Sequence, residues 1–377
     1  MSQGTVTAAE FHDTFHEIRR EMGKIVIGQD QVITHLLAAV FAGGHVLLKG
    51  FPGLGRTLIV TSLSEILGLQ HGRIQFTPDL LPTDITGTEV LEHNVETGER
   101  NFHFFKGPVF ANMVLADEVN RSPARTQAAL LEVMQEKQIT IGGETFFLPN
   151  PFMIVATQNT LDHEGVFMLG EAQADRFIMM IEQDFPSEDE EKAIIYNTTG
   201  SYAPTIKAVT NPEKILAMQA LAQEVPVVPS VKNFAISIVR SSRPLDVMAC
   251  REVSDYVRMG ASPRATQALI RLAKVMALSR GRQHVTRQDV VDVTLPVLSH
   301  RLLVDFRAQA RGKDCRYVIQ AMIRDALQKN IPEASFWTRD ILKLGKREPG
   351  PRMSFKARVM NTARRFKSRK AAAPAST

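Results

Sequence analysis

An apolar run, HVLLK (45–49), leads directly into GFPGLGRT (50–57), and a helical pattern begins at Thr57. This feature limits the fold more than any other in the chain. Glycines at 50, 53 and 55 let the backbone turn with its N–H groups facing inward, and the following helix adds the positive end of its dipole. A glycine-rich turn alone marks only a bend. Placed between a strand and a helix, it reads as a phosphate cradle. Thr57 offers a hydroxyl suited to Mg²⁺. Arg56 stands where the phosphate-loop pattern has lysine.

Two further apolar runs close on polar residues. NMVLA (112–116) ends at Asp117, and FMIVA (152–156) ends at Thr157, Gln158 and Asn159. Such runs read as buried parallel strands with functional groups at their carboxyl ends. Asp117-Glu118 follows Thr57 by sixty residues. An acid there can hold Mg²⁺ through water, and its neighbour can polarise an attacking water. Asn159 is a neutral amide suited to orienting water near a terminal phosphate. Two hairpin signals interrupt the α/β pattern. QITI-GG-ETFFL (138–148) is the stronger, and 90–105, turning near Thr97-Gly98, the weaker.

At 377 residues the chain is expected to form two domains. Its 44% hydrophobic and 23% charged residues exclude a wholly disordered or collagen-like chain. Two cysteines, Cys250 and Cys315, cannot staple a secreted scaffold. The N-terminus lacks an apolar signal core and no apolar run reaches membrane-span length, so a soluble cytoplasmic protein is expected. Residues 1–27 read as a helix with Phe11, Phe15, Ile18 and Met22 on one face, and the α/β core runs over 28–185. From 186 to 305 the patterns are helical. Ser187 caps an acidic first turn, Ser262-Pro263 opens a helix ended by Gly281, and Thr286 with Asp289 opens another. A helical extension (306–342) and a tail (343–377) follow. Residues 343–370 hold eleven Lys and Arg against one acid; with a net +5 overall, the rest of the chain carries −5.

Two arginines suit phosphate oxygens, since a guanidinium is permanently charged and forked. Arg176 lies in EAQADRF, and Arg264 in GASPRA, at the start of a helix where the dipole disfavours a cation. Something anionic is expected to compensate Arg264.

The blocks IVIGQ (25–29), GFPGLGRT (50–57), RIQFTPDLLPTDITGT (73–88), FFKGPVFANMVLADEVNR (104–121), ALLEVMQEKQITI (129–141), IVATQNT (154–160), EAQADRF (171–177), GASPRA (260–265) and VLSHRL (297–302) together resemble the MoxR family of AAA+ ATPases. The resemblance covers roughly residues 10 to 305. It implies an α/β fold: an αβα nucleotide-binding domain with a parallel sheet and inserted β-hairpins, plus a C-terminal all-helical lid. It further implies copies assembled as a ring, expected to be a hexamer, with ATP and Mg²⁺ as ligands. By the same resemblance, Gly50, Pro52, Gly53, Leu54, Gly55, Arg56, Thr57 and Leu58 surround the phosphates, and Ile25, Val26, Ile27 and Gly28 lie against adenine. Thr57 and Asp117 serve the metal, and Glu118 is the hydrolytic base. Asn159 matches the first sensor and Arg264 the second, while Arg176, with Arg121 as a second candidate, acts across a subunit interface. The family's usual work is ATP-driven maturation or remodelling of client proteins, often ones with a von Willebrand factor A domain.

Arg56 departs from that pattern. Arginine is longer, planar and differently hydrated than lysine. Retained charge leaves ATP binding expected, while hydrolysis is expected to slow by about two orders of magnitude if the exchange resembles loss of one electrostatic donor. Lys49 is expected to point to solvent rather than to substitute.

Residues 351–370 fit either a basic amphipathic helix lying on anionic membrane or nucleic acid, or a solvated disordered tail. Phe146 and Phe147 either face a central pore and a client or pack under their hairpin. The leading expectation is an ATP-driven remodeller. A non-hydrolysing nucleotide-gated scaffold and a nucleic-acid-associated motor are the alternatives.

Overall fold

The computed structural model describes residues 6–93, 100–159, 167–199 and 204–329. The hairpin tip near Thr97-Gly98, the end of the helical extension and the basic tail lie outside them.

Helices α1 (Ala8–Met22) and α2 (Asp30–Ala42) precede β1 (Val46–Gly50) and α3 (Arg56–Ile66). There follow β2 (His71–Gln75), the short α4 (Pro82–Thr86), the hairpin β3 (Gly87–His93) and β4 (Arg100–Lys106), β5 (Met113–Asp117) and α5 (Ala124–Glu136). A second hairpin, β6 (Gln138–Ile141) and β7 (Glu144–Phe147), leads to β8 (Met153–Asn159), α6 (Glu171–Ala174) and β9 (Met179–Gln183). The remainder is α7 (Glu188–Thr199), α8 (Pro212–Glu224), α9 (Pro229–Ser241), α10 (Arg251–Tyr256), β10 (Val257–Met259), α11 (Pro263–Ser279), α12 (Arg287–Leu298), β11 (Leu303–Val304), α13 (Phe306–Gln309) and α14 (Cys315–Gln328).

Five strands form one parallel sheet in the order β2-β5-β8-β1-β9. The three apolar runs are its centre. Their side chains alternate between two cores, as the period of a strand requires. Leu47, Val114, Ala116, Ile154 and Ala156 face one. Val46, Leu48, Met113, Leu115, Met153 and Val155 face the other, which also holds Phe11, Phe15, Ile18 and Met22 of α1. The register sets Gly50 beside both Asn159 and Gln183, and Gln75 beside Asp117. All five carboxyl ends therefore meet along one edge.

Helix α1 starts at a capping box between Thr7 and Glu10 and stops at Gly23, so it is shorter than 1–27 and leaves 24–29 as a turn. Gly142 and Gly143 both take positive φ, 59° and 86°, which a two-residue hairpin turn needs. The second hairpin packs on the first through Phe104 and Phe146, whose rings lie 4.4 Å apart. Phe147 is 76% exposed. Of the two aromatics, one packs against the neighbouring hairpin and one faces out.

The second part is helical apart from the β10–β11 pair. Ser262 caps α11 with Pro263 at its first position, and Thr286 and Asp289 form a capping box at α12. Helix α14, assigned from sequence to a separate extension, buries Val318, Ile319 and Met322 in the same core. No helix among the described residues is long and apolar enough to cross a membrane.

Candidate nucleotide site

The loop at the end of β1 is open. Gly53 and Gly55 take φ of 86° and 72°, and a Cβ built on either meets no atom within 4 Å. The backbone N–H groups of residues 55–57 donate to no acceptor among the described residues, and Gly55 precedes α3 without supplying a side-chain cap. Unpaired N–H groups at a helix N-terminus fit a polyphosphate. Thr57, at the second position of α3, is exposed beside them.

Arg56 turns inward. The residue is 8% exposed and bridges three segments. Nε donates to Gln183 Oε1 at 3.0 Å, Nη1 to the Gln158 carbonyl at 3.3 Å and Nη2 to the Phe51 carbonyl at 3.0 Å. Burial pulls its pKa below the ordinary arginine value, and the negative charges of Asp117 and Glu118 oppose that shift. The Lys49 ammonium lies 3.9 Å from Glu182 on β9.

Asp117 and Glu118 sit on the same sheet edge, locked through Thr157. The Thr157 hydroxyl donates to Asp117 Oδ1 at 2.7 Å and accepts from the Glu118 N–H at 2.8 Å. Glu118 has left-handed backbone, φ 58°, uncommon for a non-glycine residue and typical of sites where geometry is imposed by function. Its carboxylate accepts from Gln75 Nε2 and from Arg121 Nη1, both at 3.0 Å, while Arg73 donates to Asp117 at 2.9 Å. Arg121, expected across an interface, is thus paired with Glu118 of its own chain. The sequence pointed to none of Arg73, Gln75 or Gln183 as a site residue, and named Thr157 only as part of a polar strand end. Only Ile74 is buried along β2, so no apolar run marked the strand that carries Arg73 and Gln75.

The turn 24–29 reaches the loop through Gln29, whose Nε2 donates to the Leu54 carbonyl at 3.1 Å. Val26 is buried and Ile25 packs on the core; Gly28, φ 74°, lies under Glu190 so closely that a Cβ would strike it. Asn159 ends β8 beside Gly50, so it too borders the loop.

Arg176 and Arg264 lie elsewhere. Both line a cleft of about 340 Å³ whose walls include Gly44, His45, Arg271 and Arg301. Gly44 and His45 precede β1, whereas the loop follows it. A five-residue strand is about 16 Å long, so the cleft lies at the opposite end of the sheet from the chain's own phosphate loop. Asp175 supplies the anion expected for Arg264, at 3.9 Å, and also accepts from Arg301 Nε at 2.7 Å and Ser262 Oγ at 2.8 Å.

Comparison with known proteins agrees with this geometry. Residues 45–179 match the ATPase family associated with various cellular activities, and residues 251–323 the AAA lid domain. The chain is 43% identical over 317 residues to chaperone MoxR1 of Mycobacterium tuberculosis, covering 84% of this chain and 82% of that one. It is 28% identical over 346 residues to protein MoxR of Paracoccus denitrificans, covering 88% and 97%. A crystal structure of a Cytophaga hutchinsonii protein superposes with a TM-score of 0.78 at 38% identity, covering 84% of this chain and 96% of that one. An open phosphate loop, an Asp-Glu strand end beside it and a helical lid, carried on a sequence this close to MoxR proteins, place the chain in the MoxR family of AAA+ ATPases.

Proposed function

We propose that this chain binds Mg-ATP at residues 50–58, hydrolyses it slowly, and uses the cycle, as a ring of copies, to remodel client proteins. One observation carries the reading: the unpaired N–H groups of residues 55–57 and the carboxylates of Asp117 and Glu118 share one edge of the sheet. The metal would supply charge to the phosphate oxygens, held by the Thr57 hydroxyl and Asp117. Glu118, fixed by Gln75, Arg121 and its own strained backbone, polarises the attacking water, and Asn159 orients it.

Arg176 and Arg264 are too far down the sheet to serve their own loop. Their shared cleft supports a role on a neighbouring copy's phosphates, which makes the site complete only in a ring. Client contact is assigned to the hairpins, where Phe102 is 73% and Phe147 76% exposed. The chaperone name belongs to MoxR1, and a client with a von Willebrand factor A domain follows the family's habit.

Burial of Arg56 favours one second reading, a scaffold that binds nucleotide without turning it over. Steady-state phosphate release from the full chain and from Arg56→Lys separates the two. Slow release by the natural protein and a rise of about ten- to a hundredfold in Arg56→Lys are expected. No release from either protein would favour the scaffold, and equal rates would remove the claim that Arg56 slows turnover.

A further inference from the structure

Two buried arginines in this fold use their donors differently. Arg301 commits all five N–H groups: to Asp175 Oδ1, the Asp175, Phe177 and Ile178 carbonyls, and the Val297 carbonyl. Arg56 commits three of its five to partners among the described residues. Its guanidinium is anchored, yet two N–H groups remain, and Nη2 already donates to the Phe51 carbonyl at the start of the open loop.

The anchor on Nε is the one made by a side chain. Gln183 is 3% exposed, at the carboxyl end of β9. Its Oε1 accepts from Arg56 Nε, and its Nε2 donates to Gln29 Oε1 at 2.8 Å. Gln29 in turn donates to the Leu54 carbonyl inside the loop. Both amide orientations follow from this chain of donors: Nε–H demands an acceptor, so Gln183 presents oxygen, Gln29 must present oxygen back, and its nitrogen is left for Leu54. The relay closes on the loop it started from. Lysine at 56 has no Nε–H and could not engage it in this way.

We infer that Gln183, backed by Gln29, is the positioning residue that aims Arg56, so that Arg56 and Gln183 form one functional unit in place of the usual loop lysine. The inference rests on the ATPase reading above and assigns Arg56 its supporting shell. With Gln183 gone, Nε–H is buried without a partner and the guanidinium plane is held only by two carbonyls at its far end. The two remaining donors, which this inference assigns to the phosphates, then lose the orientation that Gln183 fixes. Misaimed donors cost rate more than affinity, since preorganised direction matters most in the transition state.

The test is a double-mutant cycle on the full chain, with kcat and KM for ATP from phosphate release and ADP affinity from calorimetry. Gln183→Leu is expected to lower kcat about tenfold while KM and ADP affinity stay within about twofold. In an Arg56→Lys background the same substitution is expected to change kcat by less than about twofold, because the donor it serves is absent. Equal losses in both backgrounds, or a loss confined to ADP affinity, would overturn the inference and leave the ATPase reading standing. Gln29→Leu cuts the relay at its more exposed end and covers the case in which Gln183→Leu does not fold. It is expected to lower kcat in the Arg56 background alone, and an unchanged kcat there would overturn the relay. Absence of phosphate release from both the natural protein and Arg56→Lys would overturn the ATPase reading and this inference together.

Discussion

Glu118→Gln is expected to cut phosphate release by about 10²- to 10⁴-fold while leaving ATP binding intact, the range over which a positioned general base contributes. The substitution keeps shape and keeps an oxygen for Gln75 and Arg121, so the strand end should hold its geometry. The ability to take a proton is lost, together with the negative charge that pairs with Arg121. The Glu118 N–H, in its left-handed backbone, donates to the Thr157 hydroxyl, and that bond is independent of the side chain. Phosphate release read beside calorimetric ATP affinity checks the expectation. A rate within a few-fold of the natural protein's would mean that water is activated by another group.

Arg301→Met is expected to destabilise the fold by about 3–5 kcal/mol, the usual loss when one partner of a buried ion pair is removed. The side chain of Arg301 is 3% exposed and sits just after α12, where it ties the lid to the entry of β9. Burial lowers its pKa, and the Asp175 carboxylate opposes that shift. Methionine fills part of the volume but leaves the Phe177, Ile178 and Val297 carbonyls without this donor and leaves Asp175 with only Ser262 and the distant Arg264 charge. Urea unfolding of the full chain reads the loss. The same change loosens the cleft holding Arg176 and Arg264, so turnover should fall under conditions where the protein is still folded. An unfolding free energy within about 1 kcal/mol of the natural protein's would show that the pair contributes little beyond its own desolvation cost.

Much of this architecture was legible in the sequence because its signals are local. Phe11, Phe15, Ile18 and Met22 state their helical face by spacing, and Ser262-Pro263 and Gly142-Gly143 state a cap and a turn by residue type. The three central strands announce themselves because both faces are buried. The edge strand β2 does not: within HGRIQ only Ile74 is buried, so no apolar run marks it. Strands β10 and β11, three and two residues long, are too short to show a period.

The site divides along the same line. The loop, Asp117, Glu118 and Asn159 follow strands and could be read in order along the chain. Partnerships across the sheet could not. Arg56 and Gln183 are 127 positions apart, and only the register that sets Gly50 against Gln183 brings them together. Arg264 was informative in a different way. A cation in the first turn of a helix implied an anion, and Asp175 supplies it, yet nothing in the spacing revealed that this pair sits at the far end of the sheet from the loop.

Residues 50–57 and Asp117 are expected to hold one magnesium–nucleotide. Calorimetric titration of the full chain with ATP, in Mg²⁺ and then in EDTA, tests it most directly. Saturable binding with a dissociation constant between about 1 μM and 1 mM is predicted in Mg²⁺, in the range typical of enzyme substrates, weakened in EDTA and by Asp117→Asn. No heat of binding up to millimolar ATP, or binding indifferent to both Mg²⁺ and Asp117, would contradict it.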